Sequence, residues 1–342
     1  MASFATTAEA SSTEDEWLAS LSDRVIEDIT AGKPLVVEVH VPLCDNTIIA
    51  CGNAKLGDGD NPETNLYWST TPGFGSWFNR KNGGWKRVLK LREGETGDKD
   101  VLALHVYRRI ASTPAAWRKR GAPPKMEIDI VVHGWRGTAI DRALAAYAAD
   151  ISGQGSRTIT LSKADDRRTA SDAKDGDKSD ERRTRSSAAG DAKVSDKSDE
   201  RRTRSSAAGD AKVSDKSTLE AGGAAQIVAW VGHNRLMDLE PFQWPAPGKA
   251  TKGTIAIACH TAAYMEDNVP SATRVPLLMT RDFLFANAAP LEAAVLAFAS
   301  GGSYAQIRLD AATAYAGIRE REVKHVFGAF TNPADKRWHK AK

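Results

Sequence analysis

The chain of 342 residues lacks the features that mark several large functional classes. It has no run of 18 or more apolar residues, so no segment reads as a transmembrane helix. Met1 to Trp17 has neither a basic n-region nor an apolar stretch and does not read as a secretory signal. Only three cysteines occur, Cys44, Cys51 and Cys259, with no CxxC pair, which excludes a disulfide framework and an ordinary structural zinc site. A reducing, cytoplasmic setting is the simplest expectation. An excess of one charge is also missing. The 47 Lys and Arg against 44 Asp and Glu leave +3, too little for a polycation built to hold nucleic acid. Dinucleotide-binding, P-loop and zinc-protease signatures are absent.

What the chain does have is enough apolar sequence for a large core: 41% hydrophobic residues against 27% charged. Residues 1–33 read as a tail followed by an amphipathic helix, with Trp17, Leu18, Leu21, Val25 and Ile26 on one face. Residues 34–342 read as one α/β domain, interrupted by residues 162–217. That interruption holds no aromatic residue, and it carries 15 Lys/Arg with 13 Asp/Glu. Within it the 19 residues Ser179–Lys197 recur unchanged as Ser198–Lys216. Without apolar positions to stack, such repeats do not build a solenoid, and we read them as a disordered insertion.

Apolar, β-branched runs predict strands at Leu35–Leu43, Val101–Val106, Ile128–Val132, Ile227–Val231, Thr254–Ala258 and Pro276–Met279. Helical spacing appears at Thr138–Ile151, Leu291–Ala299 and Ala305–Arg319. Short strands with nearly continuous hydrophobicity imply burial on both faces. The expected class is therefore α/β, three layers, with a doubly wound and mainly parallel sheet.

Such sheets gather chemistry beyond the C-terminal ends of their strands. Cys44-Asp45-Asn46, His133-Gly134, Gly232-His233-Asn234 and Cys259-His260 all follow predicted strands. His233 and Cys259 end successive strands, which in a parallel pair lie about 5 Å apart. A thiol and an imidazole so placed make a nucleophile and a general base, the imidazolium lowering the thiol pKa. The main-chain N–H groups at Cys259 and Asn234 are candidates to hold an oxyanion. Each residue also has a plain structural account, Cys259 as a small buried hydrophobe and His233 as a turn residue. His260 is a second candidate base, but strand alternation points it away from Cys259. The His133-Gly134 pair resembles the oxyanion element of serine hydrolases, yet the G-x-S-x-G elbow that such enzymes need is missing. The reading needs no cofactor. Calcium has one weak candidate, Gly57–Asp60, which does not complete an EF-hand. The aromatic stretch from Asn65 to Trp85 fits either core or a peptide-binding wall.

The order strand, Gly-His, strand, Cys resembles the caspase-like cysteine peptidases, the superfamily of caspases, metacaspases, legumains, gingipains, clostripain and separase. Ile227–Asn234 (IVAWVGHN) matches the His block and Thr254–His260 (TIAIACH) the Cys block, with Val39–Asn46 (VHVPLCDN) as the first strand. Asn65–Trp68 and Gly232–Asp238 also resemble segments of bacterial proteins of this type. The likeness spans about residues 34–320. It departs at Asn234, where the superfamily usually has a small residue, and at Ala258. It implies endopeptidase action on a protein substrate, with Cys259 as nucleophile and His233 as general acid and base. Asp45 and Asp282 follow strands and are candidate carboxylates for a pocket that takes Arg or Lys. The insertion offers Arg185 and Arg204 as cutting sites through which activity is altered. The alternative implication is a catalytically inactive caspase-like module that binds a protein or peptide in the same cleft. No membrane or nucleic-acid partner is expected, and the oligomeric state is left open.

Overall fold

Alternation along one strand explains the architecture. In the computed structural model, which describes residues 5–45, 56–162, 216–239, 241–269, 271 and 273–331, strand β1 is Leu35–Pro42. All eight of its residues are buried. Leu35, Val37, Val39 and Val41 enter one core, while Val36, Glu38 and His40 face the other way. A strand buried on both faces must lie in the middle of a covered sheet.

Eight strands form that sheet. Beside β1 are β2 (Lys86–Arg92), β3 (Val101–Ser112), β4 (Lys125–Trp135), β7 (Ile227–Val231), β8 (Lys252–Ile257), β9 (Arg274–Thr280) and β10 (Phe330–Thr331). The order is β10-β9-β8-β7-β1-β4-β3-β2. The five central strands, β9, β8, β7, β1 and β4, are parallel; β10, β3 and β2 add antiparallel flanks. Two further strands, β5 (Arg157–Ser162) and β6 (Lys216–Ala221), pair separately. The class is α/β, with a mixed rather than uniformly parallel sheet.

Helices cover both faces. One side carries α1 (Ala5–Thr30), α6 (Ala288–Ala299) and α7 (Tyr304–Ile318), which contribute Leu21, Val25, Leu291, Val295, Phe298 and Ile307 to the core. The other side carries α4 (Ile140–Ile151), the short α5 (Thr261–Met265) and the β5–β6 pair. Short helices α2 (Leu66–Ser69), α3 (Ala115–Arg118) and α8 (Val323–Val326) complete the set among the described residues. Helix α1 begins at Ala5, well inside the expected tail; Ala and Glu favour helix there. None of the described helices is long and apolar enough to cross a membrane.

The chain divides into two units, residues 1–161 with 218–342, and Ser162–Ser217. Arg185 and Arg204 lie outside the described residues, as do Asn46 and Cys51.

The aromatic stretch is core. Tyr67, Trp68, Phe74 and Phe78 are buried. The Trp77 and Trp85 indoles each donate to the Glu292 carboxylate at 2.7 Å, and Arg80 donates to it at 2.6 Å. Gly134 is required under Trp68, since a Cβ there would lie 2.8 Å from the ring. The stretch is therefore not a free peptide-binding wall.

His133 is the clearest departure. Strand β4 runs on through Trp135, so His133 sits inside the sheet, only 2% exposed. Its Nε2 lies 2.7 Å from Glu38 Oε1. No strand-end loop exists there to build an oxyanion element. Beside this pair, His40 Nε2 meets Asp150 Oδ2 at 3.0 Å, and Arg157 reaches Asp150 Oδ2 at 2.8 Å and Glu38 Oε1 at 3.4 Å. Burial would raise the Glu38 carboxyl, but His133 and Arg157 outweigh it and hold it at about 2. That depressed value favours folding above the ordinary carboxylate range, and the contribution fades as pH falls toward 2. Glu38→Gln, which leaves its partners uncompensated, should lower the unfolding free energy by about 3–5 kcal/mol at neutral pH. In urea titrations the gap to wild type should narrow steadily from pH 4.5 to 2; a constant gap would refute this account of Glu38.

Candidate functional site

Register alone brings four strand ends level. Val231 pairs with Ile257, and the Gly232 N–H donates to the Ile257 carbonyl at 3.2 Å. Two residues beyond that pair stand His233 and Cys259. On the outer side Ile255 pairs with Leu278, and the His260 N–H donates to the Asp282 carbonyl at 3.2 Å, which brings Asp282 beside Cys259. On the inner side His40 pairs with Trp230, so Pro42 is level with Gly232. A Cβ added at Gly232 would sit 3.1 Å from Pro42 Cγ.

Among the described residues Cys259, half-buried, is the free thiol, whereas Cys44, 1% exposed, is disulfide-bonded. The Cys259 Sγ donates to the Leu284 carbonyl at 3.8 Å. Burial pushes this thiol up from its ordinary value, and the Asp282 carboxylate pushes it further. The lowered thiol pKa expected from a neighbouring imidazolium is not found, because burial and then the Asp282 carboxylate outweigh the hydrogen bond to Leu284. Tyr67, raised by burial and then by Cys259, packs in the same region. The sequence marked this tyrosine only as part of an aromatic stretch.

His233 Nε2 meets Asp238 Oδ2 at 2.5 Å. Among the described residues neither His233 nor Cys259 has the other as a hydrogen-bond partner. Asn234 ties their loops together. Its side chain is buried, with Nδ2 donating to the Cys259 carbonyl at 2.6 Å and Oδ1 accepting from the Leu236 N–H at 3.3 Å. Within the described residues the Asn234 and Cys259 N–H groups donate to no main-chain carbonyl outside the regular elements, and the Cys259 N–H bears on its own sulfur. The Asn234 side chain thus fastens the two loops, a role that a glycine at this position has no atoms to perform.

His260 takes the left-handed conformation at φ 51°, rare for a residue with a side chain. Its Nδ1 donates to the Arg281 carbonyl at 2.8 Å, and its ring meets Phe283 edge-on at 4.5 Å. That bond puts the His260 proton on Nδ1 and leaves the lone pair on Nε2, and among the described residues no hydrogen bond joins this ring to Cys259. Asp282 is exposed, accepts from the Phe283 N–H at 2.7 Å, and bears electrostatically on Cys259. Asp45 lies on the other side of β7, at the β1–β4 junction. Cβ atoms built at Gly59 and Gly137 would fall 2.6 and 2.7 Å from its own Cβ. Asp45 thus follows β1 and Asp282 follows β9, on opposite sides of the β7 and β8 ends.

A cleft of about 740 Å³ over β2 and β3 is lined by Arg87, Lys90, Arg92 and His105 together with Asp58, Asp60 and Glu63. His105 in it is buried, donates Nδ1 to Tyr107 at 2.8 Å, and is held well below its ordinary pKa by burial and then by those cations. It holds no nucleophile positioned with a base. In the Gly57–Asp60 turn, Asp58 accepts from the Asp60 N–H at 2.8 Å and Asp60 pairs with Arg136 at 3.1 Å.

Among the described residues the one group spaced for a metal is Glu38, His40 and Asp150. Its chemistry does not fit. Trp135 donates its indole N–H to His40 Nδ1 at 3.2 Å, so His40 Nε2 must carry the proton that it gives to Asp150. A protonated nitrogen has no lone pair for a metal, and the Arg157 guanidinium already supplies the cation.

Comparison of the chain with family models, with curated proteins and with solved structures yields no match.

The environment of Cys259 makes a direct prediction. Iodoacetamide should alkylate Cys259 slowly at pH 7, and the rate should still be rising at pH 9, since the thiol is raised rather than lowered. A rate that levels off below pH 8 would contradict this.

Proposed function

We propose that the chain is a cysteine endopeptidase of caspase-like type, with Cys259 as nucleophile and His233 as general acid and base. One observation carries the reading: His233 and Cys259 end adjacent parallel strands at the same level, with Asn234 fastening one loop to the other. The strand order supports it. A central β1 flanked by β4 and β7, with His after β7 and Cys after β8, puts both residues on the C-terminal edge of the sheet.

The reaction follows from the atoms present. The His233 imidazole takes the Cys259 proton as Sγ attacks the scissile carbonyl carbon, forming a C–S bond. The oxyanion lies against the Asn234 and Cys259 N–H groups. The C–N bond then breaks, and His233 returns the proton to the leaving amine. Water, deprotonated by His233, attacks the thioester; the C–S bond breaks and the thiol regains its proton. Because the resting thiol is neutral, His233 has to take its proton as the sulfur attacks an electrophile rather than beforehand. Asp282, beside the thiol, favours a Lys or Arg side chain in the adjoining pocket, and Asp45 is a more distant candidate for the same role. Arg185 and Arg204 in the insertion meet that preference as self-processing sites.

A second reading is kept alive by the raised Cys259 thiol: a caspase-like module that binds a peptide at this edge without cleaving it. Fluorogenic tetrapeptides with Arg, Lys or Asp at the cleaved position separate the two. The enzyme reading expects cleavage after Arg or Lys, abolished in Cys259→Ala and reduced about 10²–10⁴-fold in His233→Ala. Cleavage after Asp would keep the dyad and remove Asp282 from its role. Binding of the peptides without turnover, unchanged by Cys259→Ala, would establish the module.

A further inference from the structure

We infer that Asp238 is the positioning residue for His233, making an Asp–His–Cys arrangement in which Nδ1 is the nitrogen that exchanges protons with the thiol. The inference rests on the peptidase reading of His233 and Cys259. Its basis is a short local structure that has no other evident task. After His233 the chain makes a single 3-10 turn, Arg235–Met237, capped by the Asn234 side chain. The turn closes through Met237 N–H to the Asn234 carbonyl at 3.0 Å and Asp238 N–H to the Arg235 carbonyl at 3.1 Å. This brings Asp238, five residues on, back against the His233 ring at 2.5 Å.

The turn is anchored from two sides. Arg235 Nη1 lies 3.6 Å from the same Asp238 Oδ2, and its Nε and Nη2 donate to Asp141 of α4 at 2.6 and 3.3 Å. Those carboxylates raise the Arg235 guanidinium. On the strand side, the Trp230 indole donates to the His233 carbonyl at 3.0 Å. Backbone and ring of His233 are thus held at separate points.

The chemistry selects the nitrogen. An ionised carboxylate only accepts hydrogen bonds, so the proton of neutral His233 sits on Nε2. The lone pair is then on Nδ1, which has no hydrogen-bond partner among the described residues. The ring is held by one carboxylate and the Cys259 side chain is turned to Leu284, so the pair forms only when the thiol turns toward His233. When Nδ1 takes the thiol proton, the cation that forms already lies beside Asp238, in the way that a carboxylate steadies a catalytic imidazolium.

The test uses the full-length protein and two independent readouts. First, alkylation of Cys259 by iodoacetamide at pH 7.5 is followed in wild type, His233→Ala, Asp238→Ala, Asp238→Glu and the double alanine variant. We expect Asp238→Ala to react as slowly as His233→Ala, the double variant to be no slower, and Asp238→Glu to recover part of the rate. Second, for a cleaved tetrapeptide, Asp238→Ala should lower kcat about 10–100-fold with KM unchanged. Alkylation of Asp238→Ala at the wild-type rate, or a His233→Ala rate equal to wild type, would overturn the inference. Absence of peptide cleavage together with the expected alkylation pattern would sink the peptidase reading while leaving the His233–Asp238 pairing in place. Near-ultraviolet circular dichroism of each variant guards against misfolding, with Asp238→Glu as the conservative check.

Discussion

The parallel register of β1, β7, β8 and β9 is the constraint on which everything else depends. Because the side-chain period of a strand is two, a slip of one residue between β7 and β8 would move every side chain of one strand to the opposite face. Ile255 and Ile257 would leave one core, Ala256 would leave the other, and Cys259 would no longer stand level with His233. Burial on both faces prevents such a slip. The strand-end chemistry is therefore a by-product of how the core is filled: apolar alternation sets the register, and the register sets which loop residues meet.

The same double burial accounts for the least ordinary part of the core. Glu38, His40, His133 and Asp150 are buried polar groups on the α4 face of central strands and on α4 itself, and the partly exposed Arg157 of β5 reaches into them. They persist because each charge is matched: Glu38 by His133 and Arg157, Asp150 by Arg157 and by the His40 N–H. The Gly222 N–H adds a donor to Glu38 at 3.1 Å. Since Arg157 lies in β5 and Gly222 follows β6, this network is also what fastens the β5–β6 pair to β1. Such a network yields little net stability compared with an apolar core of the same shape, but losing one member is severe.

Much of the fold was legible in the sequence, and the exceptions have physical causes. The six predicted strands lie within or closely overlap six observed ones, because buried parallel strands are nearly continuous apolar runs. Strand β2 was missed since its sequence KRVLKLR puts charged residues on its exposed side, as an edge strand does. His133 was misplaced because a buried histidine inside a strand and a histidine just after it look alike until the Glu38 partner, 95 residues upstream, is known. The strand-end rule placed His233, Cys259 and Asp282 just after neighbouring strands, which is where the structure has them. Asp238 was passed over because its role depends on a 3-10 turn that no periodicity announces. The Cys259 thiol is raised where a lowered one was expected, for a related reason: spacing shows which residues are near, while burial, which spacing does not reveal, is the largest influence on the sulfur.

The central claim, that His233 and Cys259 act on a peptide carbonyl as a pair, is met most directly by covalent trapping. A peptidyl chloromethyl ketone ending in arginine, incubated with the full chain, should label one residue, and peptide mapping by mass spectrometry should place the adduct on Cys259. Labelling should fall sharply in His233→Ala, and an excess of the matching peptide should protect against it. Label on another residue, or equal labelling of Cys259 without His233, would contradict the account.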